Sequence, residues 1–449
     1  MLPFTLPSDS AMMQKDFLYG VATASFQIEG DAQHRQPCIW DTFCTTEGKI
    51  ADGSDGKVAC DHVNRWQDDV ELIDSLGVDA YRLSISWGRV INADGSINHD
   101  GLKFYISLLD ELNRRGIKVF VTLYHWDLPQ HFEDKGGWLN RETAYAFAEY
   151  ARIVTTHFGN RVYAYSTLNE PFCSAFLGYE AGIHAPGRTS RQEGRLAAHH
   201  LLLAHGLAMQ IIRREAPEAL AGIVLNFSPS FALTESEEDL QAASLAHEYH
   251  NTWYLMPLML GRYPDILNLL APHERPLIHP GDMDIIRAPM DYLGINYYTR
   301  TVYQAGGELG FEEVRVDNVP RTDMGWEISP DAFTYLLKSL SEEFDLPPIY
   351  ITENGAAERD SLVDGEVYDP MRLDYLQSHL LAVHNAIEQG VDVRGYFAWS
   401  LMDNFEWAEG YRKRFGLVYV DYDSQARIPK ASAKAYQGLL SHRRAVCQK

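Results

Sequence analysis

Eight short, β-rich apolar runs recur along the chain, each followed by a longer segment. The runs are 17–25 (FLYGVATAS), 80–87 (AYRLSISW), 118–126 (KVFVTLYHW), 164–170 (AYSTLNE), 221–227 (AGIVLNF), 292–298 (YLGINYY), 348–355 (PIYITENG) and 393–401 (VRGYFAWSL). Short apolar runs bounded by turn formers read as buried strands. Between them, residues 62–77, 101–116, 141–159 and 370–390 carry apolar residues at helical spacing, with Gly77, Gly116, Gly159 and Gly390 placed to end the helices. Repeated strand–helix units without a Pro/Gly-rich boundary predict a closed parallel barrel. The expected fold is therefore α/β, a single (β/α)8 TIM barrel with long βα loops, covering residues 1–449 as one domain. An open doubly wound sheet would usually show a glycine-rich phosphate turn after its first strand. The segment here, GVATASFQIEG, has none.

In such a barrel the site lies at the C-terminal ends of the strands, so polar residues should crowd there. The first run carries Gln27 at its end and the second Arg82. The third ends in His125 and Trp126, the fourth in Asn169 and Glu170. The sixth reaches Asn296 and Tyr298, the seventh Glu353 and Asn354, and the eighth Trp399 and Ser400. A purely structural strand would end in aliphatic residues and turn formers.

Two carboxylates on opposite walls of a barrel mouth suit glycoside hydrolysis, in which one must be protonated and the other ionised. Glu170 in TLNEP and Glu353 in YITENG supply them. Taken singly, each also reads as an ordinary glutamate before a turn. Arg82, inside an apolar strand, needs an anionic partner, and Glu353 is the natural one. That pairing would favour the ionised carboxylate. Trp126, Trp399 and Trp407 offer flat faces to a sugar ring, though core packing explains such residues as well. His125, Gln27, Asn169 and Asn296 could address hydroxyls or act as structural bridges.

Composition narrows the partners. A formal net charge of −23 argues against nucleic acid and anionic membranes. No apolar stretch is long enough to span a bilayer, and the first residues lack the pattern of a signal peptide. Five cysteines at spacings matching no zinc site suggest free thiols in a reducing cytoplasm. No metal or cofactor is expected, and a homo-oligomer is compatible with the sequence.

YGVATASFQIEG, YRLSISW, YHWDLPQ, TLNEP, GINYYT, ITENG and WSLMDNFEWAEGYRKRFG together resemble glycoside hydrolase family 1, the β-glucosidases. The resemblance runs from about Phe17 to Ala435. It implies a two-step retaining mechanism without a cofactor, with Glu170 as acid/base, Glu353 as nucleophile, and Arg82 and Tyr298 holding Glu353. It further implies a sugar subsite of Gln27, His125, Trp126, Asn169, Trp399, Glu406 and Trp407, and Trp326 on the leaving-group side. The family often has tryptophan where this chain has Tyr19 and Phe172. Phe172 lies just past the acid/base, which bears on the leaving group. Relatives acting on 6-phosphoglycosides look to have serine at Glu406, so the substrate implied is a plain β-glucoside. A non-catalytic sugar-binding barrel would be expected to lack one of the two glutamates.

Overall fold

A computed structural model describes residues 2–448. Eight parallel strands close into a barrel in chain order: β1 (Leu18–Ala22), β2 (Ala80–Ser84), β3 (Lys118–Tyr124), β4 (Ala164–Asn169), β5 (Leu220–Phe227), β6 (Tyr292–Tyr297), β7 (Ile349–Asn354) and β8 (Val393–Trp399), with β8 pairing back onto β1. Each is followed by a helix on the outside: α1 (His62–Leu76), α2 (His99–Arg114), α3 (Arg141–Phe158), α4 (Arg191–Glu215), α5 (Glu237–His247), α6 (Pro330–Glu343), α7 (Pro370–Glu388) and α8 (Ala431–Cys447). The eight expected strands and the four expected helices are all present.

Local chemistry explains the helices. In α2, Leu102, Tyr105, Leu108, Leu109 and Leu112 are buried at helical spacing, which puts them on the face toward the sheet. The Asn98 side chain caps its start by accepting from the Gly101 N–H at 3.3 Å. Asn140 caps α3 and Ser190 caps α4 in the same way. At the end of α1, Gly77 adopts φ 76°, a left-handed conformation that costs glycine little.

Because side chains alternate along a strand, the barrel has two cores. One fills the layer between strands and helices. The other lies inside the barrel around Ala80, Phe120, Tyr292, Tyr350 and Phe397. The long loops sit at the C-terminal ends. The stretch after β1 runs to His62, and the stretch after β6 runs to Pro330. Segments Ser230–Ala232, Thr301–Gln304 and Glu312–Val314, from the loops after β5 and β6, pair into a small extra sheet at this end.

One detail differs from the sequence expectation. Gln27 does not end the first strand. The strand stops at Ala22, and Gln27 lies on a short helical turn, Ser25–Ile28. The apolar run continues through the turn because all four of its residues are buried, so burial alone could not mark the change.

Candidate active site

A cavity of about 580 Å³ opens at the C-terminal mouth. Ten of the expected residues stand on its wall: His125, Trp126, Glu170, Asn296, Tyr298, Trp326, Glu353, Trp399, Glu406 and Trp407. The other three, Gln27, Arg82 and Asn169, are buried to 1% exposure or less and lie beneath the wall.

Both glutamates are delivered by irregular strands. Pairing of β4 with β5 slips between Ser166 and Asn169. Pairing of β7 with β6 slips between Ile351 and Glu353. A bulge re-aims the side chains that follow it, and here it precedes each carboxylate. Glu170 itself has φ 49°, Trp126 φ 81° and Trp407 φ 49°. Such conformations are disfavoured for residues with a Cβ and cluster where function holds them.

Beneath the cavity floor the hydrogen bonds form one connected set. Arg82 Nη1 donates to Glu353 Oε1 at 2.8 Å, and Nη2 donates to Asn169 Oδ1 at 2.7 Å. The Tyr298 hydroxyl donates to the other Glu353 oxygen at 2.6 Å. Asn296 Nδ2 donates to Glu170 Oε2 at 2.6 Å and to Asn169 Oδ1 at 3.1 Å. Its carbonyl accepts from Thr352 Oγ1 at 2.6 Å, which fixes the amide's orientation. The Arg82–Glu353 partnership anticipated from sequence is thus present, and Glu353 receives two donors, one of them a guanidinium.

The environments of the two glutamates are opposite in character. Burial pushes Glu170 from 4.5 up to about 8, and the Glu353 charge adds to the rise; Asn296, a neighbouring thiol and Arg82 oppose it. Desolvation is the larger of the two causes. His125 is held well below its ordinary value by burial and by Arg82, so its ring is neutral. One ring nitrogen lies 3.1 Å from Asn169 Nδ2.

Trp126 and Trp407 meet with ring centroids 4.6 Å apart, and Trp126 Nε1 donates to the Asn169 carbonyl at 2.8 Å. Gln27 spends its amide donor on Asn404 Oδ1 and the Phe405 carbonyl, so it braces the loop bearing Glu406. Glu406 is half-buried, and its Oε2 has no hydrogen-bond partner among the described residues. The nearby cations are occupied elsewhere. Arg412 binds Glu409 and Lys413 binds Asp323. Burial, then Glu353 and Glu170, push Glu406 well above the usual carboxylate range.

A family model described as glycosyl hydrolase family 1 matches residues 9–445. The chain belongs to that family. A β-glucosidase from Agrobacterium is 44% identical over 440 residues, covering 96% of each chain. β-Glucosidase A of Thermotoga maritima is 44% identical over 435 residues, covering 95% of this chain and 97% of the relative. Among solved structures, the Thermotoga maritima β-glucosidase in complex with glucoimidazole superposes with a TM-score of 0.93 at 44% identity, covering 96% of this chain and 98% of the other. The family 1 β-glucosidase from Exiguobacterium antarcticum gives 0.92 at 43% identity, with the same coverage. As a member of family 1, the chain is a retaining O-glycoside hydrolase.

Two features of this family 1 site escaped the sequence. Part of the cavity lining is apolar, from Leu177, Ile183, Val302, Val314 and Met324, interleaved with Arg300, Glu313, Arg315 and Arg321, and Val302 and Val314 reach it only through the extra sheet. Cys173 also lines the cavity, with its Sγ 3.1 Å from Glu170 Oε1. Its position three residues after the glutamate, on a helical segment, was a readable signal.

Proposed function

We propose that the protein is a retaining β-glucosidase that removes terminal non-reducing β-D-glucosyl residues from cellobiose, short oligosaccharides and aryl β-glucosides. Glu353 is the nucleophile and Glu170 the acid/base. The observation that carries this reading is the contrast between the two glutamates: one held by Arg82 and Tyr298, the other raised to about 8.

In the first step Glu353 attacks the anomeric carbon while Glu170 gives its proton to the departing oxygen, leaving a covalent glycosyl-enzyme. Esterification removes the charge on Glu353 and with it part of what raised Glu170. Glu170, now a carboxylate with a lowered proton affinity, takes a proton from water. The water displaces Glu353, and the configuration is retained. Asn169, Gln27 and His125 shape the sugar pocket; Trp399 and Trp407 wall it; Trp326 and Phe172 receive the leaving group.

Glu406 selects the sugar. Its unpartnered oxygen offers an acceptor to the inner hydroxyls of glucose, and a hydrogen bond of this kind contributes about 0.5–1.5 kcal/mol. A 6-phosphate would bring up to two negative charges to a wall of carboxyl groups whose nearby cations, Lys413 and Arg414, are already engaged by Asp323 and Asp403. We place the enzyme in the cytoplasm, on five free thiols, as one catalytic barrel over residues 1–449 that serves cellulose degradation by consuming cellobiose.

The test is a matched pair: an aryl β-glucoside and its 6-phosphate, with the first-formed sugar anomer followed by NMR. Rapid release of the β-anomer from the plain substrate alone is expected, and Glu406→Ser should weaken that reaction strongly. Release of the α-anomer would overturn the mechanism. Equal or better kcat/KM on the phosphate would overturn the substrate.

A further inference from the structure

The two oxygens of Glu170 have unlike partners. Oε2 faces Asn296 Nδ2, a donor that cannot turn round because Thr352 pins the amide's carbonyl. Oε1 faces only the Cys173 thiol, at 3.1 Å. An oxygen that already accepts from a fixed N–H is a poor place for a proton pointing the same way. The transferable proton is therefore left to Oε1. A thiol is a weak donor and a weak acceptor, and its hydrogen rotates. It can accept while Oε1 carries the proton and donate once the proton has left. Resting on the acid/base reading of Glu170, we propose that Cys173 is a positioning residue whose thiol follows the Glu170 proton, holding the carboxyl in place in both protonation states with only a weak bias toward the carboxylate.

The balance is simple. As the proton passes from Oε1 to the glycosidic oxygen, the thiol turns its own S–H toward the vacated oxygen. No proton is exchanged with sulfur. The surroundings keep it that way. Burial, reinforced by the Glu170 charge, pushes the Cys173 thiol well above its ordinary value, so it stays an S–H. The ionisable groups facing the pair are Glu353, Glu406 and Arg82. The tyrosines facing it, Tyr254 and Tyr298, are both raised by burial, and His184 is lowered to about 4. None of these three changes charge where Glu170 titrates. The helical segment beginning at Cys173 holds the thiol in register, with its backbone N–H donating to the Glu170 carbonyl at 2.9 Å.

Two variants of opposite sign test the idea. The readout is the basic limb of kcat/KM against pH for an aryl glucoside with a poor leaving group. Cys173→Ser supplies a stronger donor, which favours the carboxylate, so the limb should move down by about 0.5–1 pH unit. Cys173→Ala removes the donor, and the limb should move up by a similar amount. Substrates with activated leaving groups, which need little protonation, should show far smaller changes. A packing role alone would lower activity in both variants without moving the limb in opposite directions. Limbs that stay at the wild-type position, or that shift the same way, overturn the proposal. Glu170→Gln separates the two layers: a basic limb that persists in that variant removes the acid/base reading itself.

Discussion

At the N-terminal end of the barrel interior, Phe120 packs against Tyr350 and Phe397 with centroids 5.3 and 4.8 Å apart, and Tyr292 meets Tyr350 at 5.5 Å. Toward the C-terminal mouth, strands β2, β4, β6 and β7 place Arg82, Asn169, Asn296 and Glu353 in the interior, all at most 3% exposed. The aromatic end is self-sufficient: apolar rings need no partner, and room for them is made by Gly20, where a Cβ would come within 2.4 Å of the Phe397 ring. The polar end is a network in which every buried group depends on another, and a half-satisfied network is worse than none. One end of the barrel provides stability, and the other is arranged for chemistry at some cost to stability.

Removing the proposed nucleophile should produce the largest effect. Glu353→Ala is expected to lower kcat by roughly 10^5–10^6-fold on every substrate, the scale seen when a nucleophile is lost. Glu170→Ala should cost roughly 10²–10⁴-fold on poor leaving groups, the scale of general acid catalysis, and far less on activated ones in the glycosylation step. Pre-steady-state kinetics on a leaving-group series would check this. Equal losses for both variants across the series would dissolve the division of labour between the two glutamates.

The aromatic end should respond in the opposite way. Phe397→Ala or Phe120→Ala should cost about 3–5 kcal/mol of stability, the usual penalty for emptying a buried aromatic site. Denaturation by urea would measure it, with kcat/KM of the folded fraction unchanged. If the folded variant instead loses activity in proportion, the two ends are one mechanical unit and the contrast fails.

How much of this was legible in the sequence follows the same division. The strands could be read because burial on both faces gives continuous β-rich runs, and the carboxylates because they end two of those runs. The connections between them could not, since hydrogen bonds join residues far apart: Arg82 to Asn169 across 87 positions, Asn296 to Glu170 across 126. The bulges before Asn169 and Glu353 are slips of pairing, and pairing is not written in either strand alone. Gln27 was placed on a strand because a buried turn has the same composition as a buried strand. Cys173 looked like one more free thiol, because its spacing from Glu170 points to Oε1 only once the segment is known to turn helically.

The smallest expected effect sharpens the comparison most, because it asks whether the polar end carries a cost. In the unfolded chain Glu170 would ionise near its ordinary value of 4.5, whereas in the folded protein it holds its proton to about 8. Between those two values the unfolded chain has released a proton that the folded chain keeps, so each rise in pH favours unfolding. The stability contributed by the neutral carboxyl is whole below about 4.5 and lost as pH rises through about 8. Glutamine cannot ionise and escapes that loss. Its carbonyl can accept from Asn296 Nδ2, and its amide can meet the Cys173 sulfur as an acceptor, so the shape of the site survives. The Tm of Glu170→Gln should therefore match the wild type near pH 4.5, rise above it by roughly 2–5 °C at pH 8, and hold that margin at higher pH. A margin that is constant from pH 5 to 9 would mean that the gain comes from packing. A margin that shrinks with rising pH would mean that Glu170 is ionised in the folded protein at neutral pH, and the polar end would then carry its charges without the expected cost.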